Sequence, residues 1–390
     1  MRVLRGLAAC CAVLAAIGHA AELKVTAVNR LPFVRSAQTI ELTAAQLAPL
    51  GVKDLATVHV RNAEGRELLV QAVDTDFDAY RKPDIVIFQA DFRANETLAF
   101  TVSEGARQVY AKEQFKAFGR FVRERFDDFA WENDRIAHRT YGRALETWDG
   151  EPLASSTIDV WSKRTPRMVI NDWYLADHYH QDAGEGADFY SAGLSRGCGG
   201  NGLWAAGRLW TSRNFVDSRV LASGPIRVMF ELEYAPFEVD GVSVSEVKRV
   251  TLDAGSQLDH FRSTYKTFTR PGRERALTTA IGLKKVEGEQ VEFDADRGWL
   301  LKWEKVEQGA GEQGLAIVSA AGPLGPRADD KLNHLVLAPV PASGAATYWA
   351  GFAWNRAGHV TDAAAWKKYV DEFAQGTRSP IEVSVSAAPR

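Results

Sequence analysis

Short segments that alternate apolar and polar residues, or run β-branched, recur along nearly the whole chain at intervals of about ten to fifteen residues, with Gly-, Asn- or Asp-containing turns between them. Early examples are LKVTAVN, TIELTAA, ATVHVRN, DIVIFQA and TLAFTVS; later ones include IRVMFELEYAPFEV, VSVSEVKRVTLDA, WLLKWEKV and TYWAGFAW. That spacing does not alternate strands with the crossover helices that parallel strands require, so it predicts an all-β chain with a large antiparallel sandwich. Helical periodicity shows clearly once. After Thr361 and Asp362 as an N-cap, Trp366, Tyr369, Val370 and Phe373 recur at helical spacing, which predicts one long helix over 362–375 closed by Gly376. A last strand, IEVSVSA, is expected to return to the sheet.

The strands before residue 106 form a compact run, and alternation fades over 107–126, where basic residues mix with aromatics in YAKEQFKAFGRFVRERF. We therefore expect a small N-terminal β unit over 21–106 and the large sandwich over 107–390. The first twenty residues set Arg2 and Arg5 ahead of an apolar run over 7–17 and end in Gly18, His19 and Ala20. This is the pattern of a cleaved secretory signal, too short for a permanent span, and it predicts a periplasmic or secreted protein without a membrane anchor. A lipid-attachment box ending at Cys10 is the rival reading. Cleavage removes Cys10 and Cys11 and leaves Cys198 alone, so no intramolecular disulfide can form and a buried core must carry stability. A net charge of −3 offers no basic footprint for nucleic acid.

Chemistry concentrates in residues 172–200, DWYLADHYHQDAGEGADFYSAGLSRGCGG. This stretch collects His178, His180, Asp172, Asp177, Asp182, Glu185, Asp188, Tyr190, Arg196 and Cys198 among six glycines. Loops with so many ionisable groups commonly line a site. On a strand, His178, His180 and Asp182 would point to one side and could cradle zinc or manganese; the alternatives are metal-free catalysis or hydrogen-bonded structural histidines. Glu185, flanked by glycines, can orient a histidine or act as a base, or else is a solvated turn residue. Cys198 reads as a buried, inert thiol rather than a nucleophile. The acidic cluster Asp74, Asp76 and Asp78 reads as a polar hairpin tip rather than a calcium loop.

A second polar segment precedes it. In WENDRIAHRTYG, an uninterrupted strand would place Trp131, Asn133, Arg135, Arg139 and Tyr141 on one face. Rings and arginines on one face suit a sugar cleft, where aromatics cover ring faces and Arg grips a carboxylate.

The blocks WENDRIAHRTYG, HYHQDAGEGADFY and SRGCGG resemble the family of the domain of unknown function 4861 over nearly the whole mature chain. The resemblance implies a galactose-mutarotase-like supersandwich, a superfamily that includes sugar mutarotases and β domains of polysaccharide lyases. It also implies a part in breaking down pectin-like or other uronic-acid polysaccharides. Asn133, Arg135, Ile136 and Ala137 resemble the N-R-I-A strand of mutarotases, although Asp134 interrupts it and the H-G-G block of that family is missing.

Three functions follow as expectations. The first is a lyase acting on uronic-acid oligosaccharides, pectin- or ulvan-like, by β-elimination. It would need no cofactor, a divalent metal being the variant reading. Arg135, Arg139 or Arg196 would clamp the carboxylate, His178 or His180 would be the base, Tyr190 or Tyr141 the acid, and Glu185 would orient a histidine. Trp131, Asn133 and Asp188 would complete substrate binding. The second is a mutarotase or epimerase using Glu185 and His178. The third is a non-catalytic glycan-binding protein using the same aromatic and arginine face.

Overall fold

The computed structural model describes residues 22–76, 82–268, 275–320 and 322–387. The signal segment and Asp78 lie outside them. Within them the chain forms five sheets whose neighbouring strands pair antiparallel, plus helices Ala44–Leu47, Ile170–Ala176 and Ala363–Arg378. The architecture is an all-β sandwich with one long C-terminal helix.

The N-terminal unit is a small sandwich. Strands Glu382–Ala387, Glu22–Val28, Thr97–Glu104 and Val58–Asn62 form one sheet in that order, and Arg35–Thr43, Ile85–Phe92 and Val70–Val73 form the other. Period-two alternation sets its core: Leu23, Val25 and Ala27 turn inward to meet Ile40, Leu42, Phe88 and Val102, while Glu22 and Lys24 stay exposed. The final strand thus closes the N-terminal unit, pairing Leu23 with Ala387, rather than joining the large sandwich assigned to 107–390. The two units are tied by Arg227 of the large sandwich, which is buried and bonds Asp253 at 2.6 and 2.8 Å and Glu41 of the small one at 2.6 Å.

The large unit faces a long sheet toward two shorter ones. The long sheet runs Asp217–Ser223, Arg227–Val239, Val242–Asp253, Leu258–Phe268, Ala345–Trp354, Glu312–Ser319, Trp299–Lys305 and Gln290–Asp294. One short sheet, called the site sheet below, runs Gly186–Ala187, Asp159–Lys163, Ala137–Thr140, Asp128–Asn133 and Ala117–Val122; the other runs Arg208–Trp210, Cys198–Ala205, Thr278–Lys284, Asn333–Pro339 and Arg327–Asp329. Phe129, Trp131 and Val160 from the first, Cys198, Ile281 and Val336 from the second, and Phe230, Val250, Phe261, Leu315 and Phe352 from the long sheet share one core.

The long sheet is covered on its other side by the helix. In Trp299–Lys305, Leu300 faces the main core while Trp299, Leu301 and Trp303 point outward to Trp366, Val370 and Ala374 of the helix. Asp362 caps its N-terminus by accepting from the Ala365 amide at 2.9 Å. The helix passes through Gly376 to Arg378 instead of stopping at Gln375. Arg35 supplies the reason: its guanidinium donates to the carbonyls of Ser379 at 2.8 Å and Gly376 at 3.4 Å, satisfying the helix end without a glycine cap.

Candidate functional site

The hairpin joining Asp128–Asn133 to Ala137–Thr140 decides which polar residues meet. Asn133 makes its turn: the side-chain oxygen accepts from the Arg135 and Ile136 amides at 2.8 and 2.9 Å, and its amide donates to the Asp253 and Ser256 carbonyls at 2.7 and 2.8 Å. The reversal pairs Trp131 with His138 and Ala130 with Arg139, so the expected single face of Trp131, Asn133, Arg135, Arg139 and Tyr141 does not exist. Trp131 points into the main core, donating to Asp259 at 2.8 Å and stacking on His138 at 5.2 Å. Arg135 stays at the half-buried turn. Arg139 points to the opposite, outer side of the site sheet.

The segment after Lys163 folds over that outer side. Glu132, fully buried, accepts from the Val169 and Ile170 amides at 2.9 Å each and so caps the helix Ile170–Ala176, while Lys163 neutralises it at 2.7 Å. Trp161 of the sheet then packs against Ile170, Tyr174 and Tyr179 of the covering segment. Asp177 ends the helix in the left-handed region (φ 54°), and a turn follows, with the Gln181 amide bonding the His178 carbonyl at 2.9 Å. His178, His180 and Asp182 therefore sit in turns, not on a strand.

Beneath this cover Arg139 gathers three aspartates. Its Nε donates to Asp159 Oδ2 at 2.9 Å and its Nη2 to Asp188 Oδ2 at 2.8 Å, while Nη1 lies 3.7 Å from Asp128 Oδ2. The Tyr141 hydroxyl donates to Asp159 at 2.8 Å, the Tyr174 hydroxyl to Asp128 at 3.3 Å, and the guanidinium lies against the rings of Tyr141, Tyr179 and Trp161. Burial dominates the titration of Asp128, pushing its carboxyl up to about 7 against the pull of Arg139 and Arg125. Burial, with Asp159 second, also raises Asp188 well above its ordinary value. Asp128 Oδ1, Arg139 Nη1 and Arg125 Nη1 are buried without a hydrogen-bond partner among the described residues. Such atoms are uncommon in a finished core.

Arg125 forms the rim. Its Nε donates to the Tyr179 hydroxyl at 2.7 Å and its Nη2 to Glu151 at 3.0 Å, and it lies 5.0 Å over the Trp148 ring, which stacks on Phe126 at 4.3 Å. The turn between Arg125 and Asp128 is strained: Phe126 (φ 49°) and Asp127 (φ 64°) are both left-handed although neither is glycine. Gly142 presses on it so closely that a Cβ there would stand 1.8 Å from the Asp127 carbonyl oxygen. His180, more than half exposed, reaches from the other side of the rim to within 3.4 Å of Asp188 Oδ2.

The other expected site residues lie elsewhere. His178 is exposed. Glu185 bonds Arg167 at 3.0 and 2.6 Å, and this pairing lowers its pKa, so it orients no histidine. Asp182 pairs with Arg164 and accepts from the Gly184 amide at 2.8 Å; among the described residues no group of three or more His, Cys, Asp or Glu side chains is placed to hold a metal ion. Tyr190 and Cys198 face the main core, and burial raises both pKa values. Arg196 is buried between the sheets, on the inner side.

Asp128, Asp159 and Arg125 escaped the reading of the sequence. Asp128 reads as half of a turn, and Asp159 is one carboxylate in the apolar run TIDVW. A signal was present in both strands, where acids stand at positions whose neighbours two residues on, Ala130 and Trp161, are buried.

Residues 28–383 match the family model described as Domain of unknown function (DUF4861). A relative from Formosa agariphila, described as Uncharacterized protein P7, is 30% identical over 384 residues, covering 93% of each chain. Among solved structures, an α-mannosidase from Enterococcus faecalis V583 matches 95% of this chain at TM-score 0.50 and 9% identity, and a protein in glycosyl hydrolase family 38 from Enterococcus faecalis matches 96% at TM-score 0.49 and 10% identity. The chain spans about half the length of these two, 46% and 48%, and the likeness is one of fold.

Proposed function

The chain belongs to the family described as Domain of unknown function (DUF4861), and on that footing we propose that it is an exported carbohydrate-active enzyme that moves protons at Asp128. One observation carries the reading: a fully buried carboxyl held at about 7, beside the Arg125 guanidinium whose Nη1 has no partner among the described residues. A fold shared with a chain described as an α-mannosidase supports a sugar as the substrate class.

The reaction we favour is β-elimination on a uronic-acid oligosaccharide. Arg139 already spends its Nε and Nη2 on Asp159 and Asp188 and lies deeper under the cover, so the clamp on the sugar carboxylate falls to Arg125 at the rim, where it would stabilise the enolate-like intermediate. Asp128 in its ionised form takes the C5 proton, the C4–O bond breaks, and the departing oxygen takes a proton from the Tyr179 hydroxyl, which already accepts from Arg125. Phe126 and Trp148 offer a ring platform for the sugar. A second reading, an epimerase, draws support from Asp188, a second buried acid on the same guanidinium whose pKa burial raises.

The test is turnover of pectin, ulvan and glucuronan oligosaccharides, followed by the ultraviolet absorbance of the new conjugated double bond and, in parallel, by optical rotation. We expect the absorbance to rise with wild-type protein, to slow about a hundredfold or more with Asp128→Asn, and to need far more acidic substrate with Arg125→Ala. A change in rotation alone would replace the lyase by the epimerase. Saturable binding with neither signal would overturn both and leave a glycan-binding protein.

A further inference from the structure

Six Lys or Arg side chains are buried among the described residues: Arg139, Lys163, Arg196, Arg227, Lys248 and Lys302. Four have carboxylate partners at close range. Arg139 has Asp159 and Asp188, Lys163 has Glu132, Arg227 has Asp253 and Glu41, and Lys302 has Glu289 at 2.6 Å. Arg196 and Lys248 break this rule, and they lie in the same polar layer between the sheets.

Arg196 meets only neutral groups: the hydroxyls of Ser156 and Ser155, each at 3.1 Å, and the Asn201 carbonyl at 3.4 Å. Its Nε has no hydrogen-bond partner among the described residues. Lys248 stands on the inward face of Val242–Asp253, between Glu246 and Val250, with its Nζ 4.9 Å from the centre of the Tyr234 ring and without a partner at hydrogen-bond length among the described residues. The one carboxylate at hand, Glu246, is 3.8 Å away and already accepts from Ser263 at 2.6 Å and Asn201 at 3.0 Å. Among the described residues neither side chain has a carboxylate within hydrogen-bond length. Arginine does not shed its proton, and an uncompensated buried charge is among the costliest things a core can hold.

We propose that this layer is a binding site for a small monovalent anion of halide size, seated between Arg196 Nε and Lys248 Nζ with the Tyr234 hydroxyl beside it. The size follows from burial: Arg196 is 2% exposed and Lys248 0%, so a large anion could not reach them without opening the close-packed sandwich. The donor set is two cations and a hydroxyl, which is anion chemistry and not metal chemistry. Burial pulls Lys248 down, with Glu246 opposing and Arg196 adding to the fall; a bound anion would favour its charged form. The site lies on the inner side of the sandwich and is independent of the function proposed for the outer side.

The test uses the whole protein dialysed into sodium gluconate and titrated with sodium chloride or bromide at constant ionic strength, with crystals grown in bromide. We expect a saturable rise in melting temperature with either halide and an anomalous bromide peak between Arg196 and Lys248. Lys248→Met should fold, keep the baseline melting temperature and lose the halide response; Tyr234→Phe should retain the peak with weaker affinity. No halide response together with no anomalous peak in wild type would overturn the proposal, as would ordered water at that position in bromide crystals, or a halide response that Lys248→Met leaves unchanged.

Discussion

The Asp128 carboxyl stands 3.7 Å from the Arg139 guanidinium, beyond hydrogen-bond length, while Asp159 and Asp188 take its Nε and Nη2 at 2.9 and 2.8 Å. Asp128 thus receives the field of the cation without its hydrogen bonds. Burial, which favours the protonated acid, then outweighs that field. Three acids on one arginine divide into two that take its hydrogen bonds and one that stands beyond them.

Arg139→Ala should unfold more readily whatever it does to turnover. It leaves Asp159 and Asp188 buried without a counter-charge, a change that costs about 3–5 kcal/mol for a buried pair. Urea unfolding of the variant should show a lower midpoint, with Arg139→Lys between it and wild type because an ammonium cannot hold the same fork. An unchanged midpoint for Arg139→Ala would mean that the cluster is more open to water than its burial implies.

Asp128 should also shape stability against pH. Its folded pKa of about 7 lies above its ordinary value of 3.8, so between these the folded chain holds a proton that the unfolded chain has lost. Stability from this group is therefore complete below pH ~4, falls as pH rises toward ~7 and is flat beyond, the fall amounting to at most about 4 kcal/mol. Asp128→Asn should remove this slope. Melting temperatures of wild type and variant that run parallel from pH 4 to pH 8 would contradict the assignment.

His178→Ala and Glu185→Gln should be nearly silent. His178 is exposed and Glu185 holds a surface ion pair with Arg167, so each change should alter stability by no more than about 0.5 kcal/mol. Turnover on any active oligosaccharide should stay within about twofold of wild type. A hundredfold loss in either would return catalysis to the turn around His178.

The all-β class and the helix near residue 366 were legible because period-two and period-3.6 patterns are local. The strand faces were legible only as far as the next turn. Asn133 reverses the chain, and one reversal moves Arg139 away from Trp131 while bringing it to Asp159, a partner that no local pattern announces. The stretch over 172–200 does contribute to the site, through Asp188, Tyr174, Tyr179 and His180, yet its density of charge misleads at Glu185 and Asp182, which serve arginines at the surface. Buried charges at core-phase positions, such as Glu246 and Lys248 in VSVSEVKRV, were visible as a breach of alternation. Their meaning depended on the opposing sheet.

The most direct test is the titration of the Asp128 carboxyl itself, read as the difference between wild-type and Asp128→Asn carbon-13 spectra of aspartate-labelled protein. A midpoint near pH 7, matched by an inflection at the same pH in the rate of sugar turnover, is the result this account predicts. A midpoint in the ordinary carboxylate range near pH 4 would contradict it, because Asp128 would then be ionised throughout the neutral range and no more than a counter-ion for Arg139.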